Sequence, residues 1–399
     1  MISEIRADFN RHFDEKNYEK MIEDIQAEYP NQLEFRIAET PVFLDKSLKN
    51  KLEEAAYEIV GQLENPAIVD KLKQAIPKEH FVPGKMTDCE MFSLDFGICE
   101  GEHGELIPQL IELQGFPTLF YFQYLEANAY RKAFNIEESW TNYFNDFSDA
   151  QYLKMLSDLI LHGYSKEEVI LLDIEPETQK TRIDFAVMQQ HIGVFSKSIS
   201  ELYEENGNVY YLNDDGSKQY VKRIFNRMIF DDFDANKSKL SRYLDITQPL
   251  NVEWLPHPNW FYEWSKYCLP FLQSKYAPQT NFLNALKEIP TDLENYVLKP
   301  LFSFAGQGVI IDVSKEDIEK IATPEHWILQ KKAKYAPIIK TQDQDAMFEI
   351  RLMFFRIPGQ DKPVLINNLV RISKGKMVGV RYNMDKTWVG SSIAFFQKD

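Results

Sequence analysis

The sequence of 399 residues contains few cysteines and no long apolar run. The cysteines have no CxxC spacing, so we expect buried or free thiols and neither a disulfide framework nor a zinc site: Cys89, Cys99 and Cys268. No segment approaches the roughly 18 apolar residues of a membrane span, and the N-terminal segment is charged throughout, unlike a signal peptide. We therefore expect a soluble, cytoplasmic protein without a membrane partner.

Positive charge is also scarce, because 45 Lys and Arg stand against 61 Asp and Glu, a formal net charge of −16. Such a chain has no overall attraction for DNA or RNA, so we expect no nucleic-acid partner. The seven histidines form no HxH or HxxxH pair, and the GxSxG motif of serine hydrolases does not occur. His257 is the best histidine candidate for a substrate-side role, with packing within its loop as the alternative.

The chain's length and its local residue patterns predict a multidomain fold of the α+β or α/β class. Apolar residues make up 44% and charged residues 27%, as in globular proteins, and the chain is longer than the usual domain of about 100–200 residues. Changes in the local pattern of apolar and turn residues divide it into four regions: an N-terminal helical region at 1–84, a β-hairpin with helices at 85–163, a small α/β domain at 164–248, and a final lobe at 249–399.

Local patterns place the elements within these regions. Apolar periodicity predicts helices, short apolar runs predict buried strands, and Asp-Gly predicts a hairpin turn. The predicted elements are helices at 1–27, 47–78 and 117–163, a buried strand at 167–176 followed by a helix at 181–193, a hairpin turning at 215–216, and a β-meander at 348–383 with turns at 358–359 and 374–375.

The segment VLKPLFSFAGQGVIIDV at 297–313 predicts a loop that binds an anion. Lys299 ends an apolar strand, Gly306 and Gly308 lie in a short loop, and an apolar strand resumes after them. Glycines allow positive φ and let backbone N–H groups approach an anion, and the lysine adds a point charge. The segment is neither a Walker loop nor a dinucleotide fingerprint. An ordinary hairpin with a glycine pair is the alternative interpretation.

A second candidate site lies in a predicted hairpin formed by MFSLDFGI at 91–98 and LIPQLIELQ at 106–114. A turn near residue 102 or 103 would place Glu112 diagonal to Asp95, with Gln114 on the same face, because strand side chains alternate. Two carboxylates and an amide oxygen suit Mg²⁺. A slip of one residue would turn one strand's ligands away, and a solvated acidic hairpin is the alternative.

In their order along the chain, these two motifs resemble the circularly permuted ATP-grasp family, related to carboxylate-amine ligases of the glutathionylspermidine synthase type. In the permuted relatives the magnesium motif precedes the phosphate lysine and the glycine loop, as SLDFGI and IELQGFPTL here precede VLKPLFSFAGQGV. Other segments are similar to further parts of the family: YVKRIFNRMIFDDFD, HWILQKKAKYAP, FEIRLMFF and NNLVRISKGKMVG. The resemblance implies a circularly permuted ATP-grasp fold with a small pre-ATP-grasp-like α/β domain.

The resemblance also implies roles for individual residues. The ligands of Mg²⁺, which bridges the phosphates of ATP, would be Asp95, Glu112 and Gln114. The phosphates would meet Lys299 and the 303–308 loop, with Ser303, Gly306, Gln307 and Gly308. The adenine would meet the backbone near Gln330 and Lys331, with Lys331 or Lys332 as side-chain contacts. Lys299 would act in catalysis with two arginines that stabilise the transferring phosphate, Arg351 and Arg371.

The reaction that the resemblance implies joins the carboxylate of a small molecule or peptide to an amine acceptor, through an acyl-phosphate and with release of ADP. Two positions depart from the family pattern. The family's E-x-N motif is E-x-Q here, with Gln114, and Ser93 stands where the synthase relatives have an arginine. Either another arginine substitutes or the substrate differs. A non-catalytic ATP-binding protein and a phosphotransferase, both of the same fold, remain alternatives.

Overall fold

The computed structural model describes residues 2–86, 88–101, 103–303, 306–376, 378 and 383–398. The helices are α1 Ser3–His12, α2 Glu15–Glu28, α3 Lys46–Leu63, α4 Pro66–Leu72, α5 Phe120–Phe134, α6 Asp149–Leu161, α7 Arg182–Ile192, α8 Phe230–Asn236, α9 Trp260–Glu263 and α10 Lys315–Glu319. Within the described ranges, no helix is long and apolar enough to cross a bilayer.

The strands form several sheets. They are β1 Val42–Phe43, β2 Met91–Glu100, β3 Leu106–Gln114, β4 Trp140–Thr141, β5 Val169–Asp173, β6 Phe195–Ser198, β7 Tyr203–Glu205, β8 Asn208–Leu212, β9 Lys218–Val221, β10 Arg223–Asn226, β11 Glu253–Leu255, β12 Thr280–Phe282, β13 Tyr296–Pro300, β14 Trp327–Lys331, β15 Met347–Phe355, β16 Val364–Ser373, β17 Gly390–Ser392 and β18 Ala394–Gln397.

The central sheet has five antiparallel strands in the order β17-β16-β15-β2-β3. It confirms the predicted early hairpin and the first part of the late meander, β15 and β16, and it joins them, because β2 pairs with β15. Most of the strand predicted after the turn at 374–375 lies outside the described residues. Apolar side chains fill the space around this sheet, and the rings of Phe92 and Phe354 stack at 4.9 Å. Pro108 lies in β3 at the edge of the sheet, where its missing N–H removes no ladder bond that a second neighbour would need.

The small α/β unit contains a parallel sheet in the order β11-β10-β5-β6 and an antiparallel meander of β7, β8 and β9. The predicted buried strand, the following helix and the Asp-Gly hairpin are all confirmed. The sheet continues past residue 248, because β11 pairs in parallel with β10. The carboxyl ends of the parallel strands share one edge, which faces the end of β3.

The lobe that carries Lys299 is a three-stranded antiparallel sheet with β14 between β12 and β13. A small apolar cluster, to which α10 contributes Ile318, covers it. The strand predicted after the glycine segment is reduced to a single bridge, in which Ile310 pairs with Leu298. The chain leaves β14 and returns to β2 through hydrogen bonds made by Lys334 and Ala336, so the lobe is tied directly to the central sheet.

The N-terminal helices pack against these cores and confirm the predicted helical segments at 1–27 and 47–78. Asp14 caps α2 and Asp45 caps α3, each by accepting a hydrogen bond from a backbone N–H of the first turn. Inside the N-terminus of α5, Asp184 accepts hydrogen bonds from Leu119, Tyr121 and Phe122, and this fixes the chain just beyond β3. The three cysteines are buried and unpaired, as predicted.

Candidate functional site

The early acidic ribbon, defined as β2 and β3, carries its polar side chains on one face. Asp95 lies directly opposite Glu112, and Ser93 lies opposite Gln114. The prediction that Glu112 lies diagonal to Asp95 is therefore wrong, because the two residues are direct cross-strand partners. A β-bulge between Asp95 and Phe96 inserts Ile111 as an extra residue on β3 and advances the register. Because cross-strand partners project to the same side of a sheet, the face predicted for oxygen donors exists.

Asp95 is fully buried and is held by two arginines from neighbouring strands. Its Oδ1 accepts a hydrogen bond from Arg351 Nε at 2.7 Å, and its Oδ2 accepts from Arg351 Nη2 at 2.8 Å and from Arg371 Nη2 at 2.7 Å. Burial alone would raise the pKa of Asp95, but the two guanidinium groups outweigh it and hold that pKa below its ordinary value. The resemblance implies an arginine at position 93, where this chain has Ser93. Asp95, two residues further along the strand, instead binds Arg351 and Arg371.

Arg371 connects this pair to a second buried carboxylate. Its Nη2 also donates to Glu349 Oε2 at 2.8 Å, and the Tyr335 hydroxyl donates to Glu349 Oε1. Burial raises the pKa of Glu349 although Arg371 opposes the shift. The Tyr335 ring lies on Gly97, where an added Cβ would come within 2.6 Å of Tyr335 Cε1. The glycine in SLDFGI therefore allows the tyrosine to reach Glu349.

Lys299 reaches the acidic ribbon from the other lobe. Its Nζ donates to the backbone carbonyl of Ile111 at 3.1 Å and to Gln330 Oε1 at 2.7 Å. The residue is 8% exposed, and burial lowers its pKa to about 8 although Glu112 opposes the shift. The late lysine and the early carboxylate of Glu112 therefore belong to one site, although they are far apart in sequence.

Lys266 is a member of this site that the sequence does not reveal. Its Nζ lies 3.3 Å from Glu112 Oε1 and donates to the backbone carbonyl of Ser303. The side chain is buried, and it sits in a short 3₁₀ segment whose sequence, SKYCLP, carries no recognisable motif. Lys266 thus links the acidic ribbon to the start of the glycine segment.

The glycine segment turns back on β13. Gly306 has φ 72° and Gly308 has φ 74°, both in the region that favours glycine. Val309 N donates to the Gly306 carbonyl, and Ile310 then pairs with Leu298. Residues 304 and 305 of the predicted loop lie outside the described residues, and Gln307 is exposed. Ser303 Oγ is buried without a hydrogen-bond partner among the described residues.

The segment predicted to meet adenine is the end of β14. Gln330 is buried, and its amide donates to Thr280 while its oxygen binds Lys299. The backbone N–H groups of Lys331 and Lys332 donate to Gln279 and Asn295. These N–H groups are therefore already satisfied, and a base would have to meet the carbonyl groups or side chains of this segment.

A second group of polar atoms lies at the carboxyl edge of the parallel sheet. Three buried donors there have no acceptor among the described residues: Asn226 Nδ2, Arg227 Nε and His257 Nε2. Arg227 Nη1 donates to the carbonyls of Phe116, at 3.2 Å, and Pro117, just beyond the end of β3. This edge therefore adjoins the acidic ribbon. Burial lowers the pKa of His257 to about 4, so its ring is neutral near pH 7.

Unpartnered buried donors are uncommon in folded proteins, and each invites a ligand as its explanation. The sequence offered His257 and the arginine-containing segment as separate features, and it gave no sign that the two are neighbours. Two hydroxyl oxygens of the ribbon and the segment that follows it are also buried with no partner in the described ranges: Ser93 Oγ and Thr118 Oγ1.

The cations of the site slightly exceed its carboxylates. Four basic side chains surround three acidic ones, namely Lys266, Lys299, Arg351 and Arg371 against Asp95, Glu112 and Glu349. A local excess of positive charge suits an anion even in an acidic chain. In the part of the chain that the structure describes, no group of three His, Cys, Asp or Glu side chains could by itself hold a metal ion.

The chain matches no known family of sequences and no curated protein. Solved structures do match it. One is a glutathione synthetase-like effector from Globodera pallida in its apo form, with a TM-score of 0.56 and 12% sequence identity. The match covers 97% of this chain and 98% of the other. The chain therefore resembles this effector in fold over its whole length, and this likeness says nothing about activity.

Proposed function

We propose that this chain binds Mg-ATP between the acidic ribbon and the lobe of Lys299, and uses it to join a carboxylate to an amine with release of ADP. The observation that carries the proposal is the hydrogen bond from Lys299 Nζ to the carbonyl of Ile111, beside Glu112. It brings the two sequence motifs into one site. The fold shared with a glutathione synthetase-like protein supports a ligase-type scaffold.

The residues fit a nucleotide phosphate chain. Lys266 and Lys299 are buried and bring their amino groups close to Glu112 and to the carbonyl beside it, and Ser303 Oγ, unpartnered among the described residues, lies at the glycine segment. Buried cations attract phosphate strongly because little water screens them. Arg371 Nε is likewise buried and has no partner in the described part of the chain, so it could donate to an oxygen of a bound anion.

The residues also fit Mg²⁺, with one change from the expected ligand set. Glu112 and Gln114 offer oxygen donors on one face, and Mg²⁺ commonly takes only one or two protein ligands beside phosphates and water. Both oxygens of Asp95 already accept from arginines. We therefore propose Glu112 and Gln114 as the ligands and Asp95 as the residue that positions Arg351 and Arg371.

Bound there, Mg²⁺ would neutralise phosphate charge. The chain's own groups would do the rest by position and charge, as is usual for phosphoryl transfer. Lys299 and Lys266 would oppose the charge of the phosphates, and Arg371 that of the group in transfer. The glycine segment would cover the reacting atoms and exclude water, which protects an acyl-phosphate from hydrolysis.

The carboxylate substrate would bind at the carboxyl edge of the parallel sheet. Asn226, Arg227 and His257, with donors unpartnered among the described residues, lie at this edge, and ligands of parallel α/β sheets usually bind outside the carboxyl ends of the strands. Arg227 is tied to the segment after β3, so an acid held there would lie beside the acidic ribbon.

A second candidate is a nucleotide-binding protein without catalysis. The observation that favours it concerns Asp95. Both of its carboxylate oxygens already accept hydrogen bonds from arginines, so they are not available to a metal ion. In that case Mg-ATP would stabilise the protein without being consumed.

The test uses hydroxylamine as a general amine nucleophile. The protein is incubated with Mg-ATP, hydroxylamine and pools of carboxylic acids, and hydroxamate, ADP and phosphate are measured. Hydroxamate with matching ADP supports the ligase, and stabilisation by the nucleotide without turnover supports the second candidate. A phosphorylated product without free phosphate would indicate a phosphotransferase. Absence of nucleotide binding would contradict all three.

Two variants serve as a test and its control. Lys299→Met should abolish formation of hydroxamate and ADP, and Lys154→Met, at an exposed position on α6, should not.

A further inference from the structure

A cavity whose lining includes none of the residues proposed for the nucleotide lies between the segment after α4 and helix α9. Its volume is about 450 Å³, and the residues that line it include Lys73, Ile76, Lys78, Phe81 and Glu263. Met86 and Asn259 complete the lining. The side chain of Asn259 is already committed, because it both donates to and accepts from the backbone of Val82.

Glu263 supplies the polar feature of this cavity that the fold does not explain. The residue is 3% exposed, and its carboxylate accepts no hydrogen bond and forms no ion pair with any described residue. Burial raises the pKa of Glu263 to about 7, with only Lys73 opposing the shift. A buried carboxyl group without a partner is costly, so a ligand that supplies a donor would relieve that cost.

The outer part of the cavity has the opposite charge. Lys73 and Lys78 are exposed, whereas Glu263 is buried. Lys73 has a surface ion pair with Asp70 at 3.1 Å, which solvent weakens. The apolar part of the lining consists of Ile76, Phe81 and Met86, and Phe81 is 52% exposed, which is unusual for a large apolar side chain.

We propose that this cavity binds a small zwitterion whose ammonium and carboxylate groups are separated by an apolar chain. The ammonium group donates to Glu263, the chain lies along Ile76, Phe81 and Met86, and the carboxylate meets Lys73 and Lys78. The proposal does not depend on nucleotide binding, because no lining residue of this cavity has a role in the proposed nucleotide site.

The test is calorimetric titration of the full-length protein with 6-aminohexanoate, hexanoate and hexylamine. These probes share the apolar chain and differ only in their charged ends. We expect 6-aminohexanoate to bind at least about tenfold more tightly than hexanoate, which lacks the partner of the buried Glu263. It should bind about two- to fivefold more tightly than hexylamine, because the missing carboxylate would meet exposed lysines. Equal binding of hexanoate or of hexylamine, or no binding of any probe, would overturn the proposal.

Two substitutions test the roles of the lining residues. Glu263→Gln keeps the shape of the side chain and should weaken 6-aminohexanoate at least about tenfold while leaving hexanoate unchanged. Glu79→Gln is the matched control, since Glu79 is exposed in the same segment and does not line the cavity. If Glu263→Gln binds 6-aminohexanoate as the wild type does, the assignment is wrong. The comparison of probes on the wild type stands even if that variant fails to fold.

Discussion

Replacing Asp95 with Asn tests whether this carboxylate holds the two arginines in place or serves only as a metal ligand. Asp95 is fully buried and accepts three hydrogen bonds from Arg351 and Arg371. Asn keeps the size but removes the charge, so the buried guanidinium group of Arg351 loses its counterion and the partly exposed Arg371 keeps only Glu349. Removing one partner of a buried ion pair costs about 3–5 kcal/mol. We expect Asp95→Asn to lower the free energy of unfolding by about that amount, with or without Mg²⁺.

The assay is urea unfolding followed by tryptophan fluorescence, in EDTA and in Mg²⁺. Asp24→Asn is the matched control, because Asp24 also pairs with two lysines, Lys20 and Lys132, but at the surface. Its loss should be much smaller, since water screens exposed pairs. A stability of Asp95→Asn in EDTA within about 1 kcal/mol of the wild type would refute the account. A carboxylate that served only as a metal ligand would give that result.

Three further predictions follow from single residues. Because the pKa of Lys299 is about 8 and phosphate prefers the charged amine, affinity for an ATP analogue should fall above pH 8, and Lys299→Arg should remove this fall in titrations at pH 7 and 9. Burial raises the pKa of Glu126 to about 8, so the folded state keeps a proton that the unfolded state releases above its ordinary pKa. Stability should then decrease as pH rises to 8, by at most about 1.4 kcal/mol per unit, and Glu126→Gln should abolish that slope in urea unfolding. Gly97→Ala should displace Tyr335 and weaken nucleotide binding, whereas Gly61→Ala, in helix α3 where nothing lies within 4 Å of the added carbon, should leave binding unchanged and raise thermal stability slightly.

The elements of the fold were largely predictable because their signals are local. Alternating apolar residues marked β2 and β3, and a continuous apolar run marked β5. The two-residue strands β1 and β4 were not predictable. They pair with β18, and two residues carry no periodic pattern of their own.

The site was only partly predictable, because its contacts join residues distant in sequence. The spacing of Asp95 and Glu112 indicated a shared face, but the bulge at Ile111 leaves no mark in composition. The arginines on Asp95 come from the other end of the chain. The sequence around Lys266 contains no recognisable motif, and the residue reaches Glu112 only through the fold of the chain.

The most direct test of the account is the Mg²⁺ dependence of nucleotide binding in Glu112→Gln. Calorimetric titration with a non-hydrolysable ATP analogue should give tighter binding in Mg²⁺ than in EDTA for the wild type. The variant keeps the lysines but loses the carboxylate, so it should bind equally in both conditions. An undiminished Mg²⁺ effect in Glu112→Gln, or a wild type that binds no nucleotide, would contradict the claim that the ribbon and Lys299 form one site.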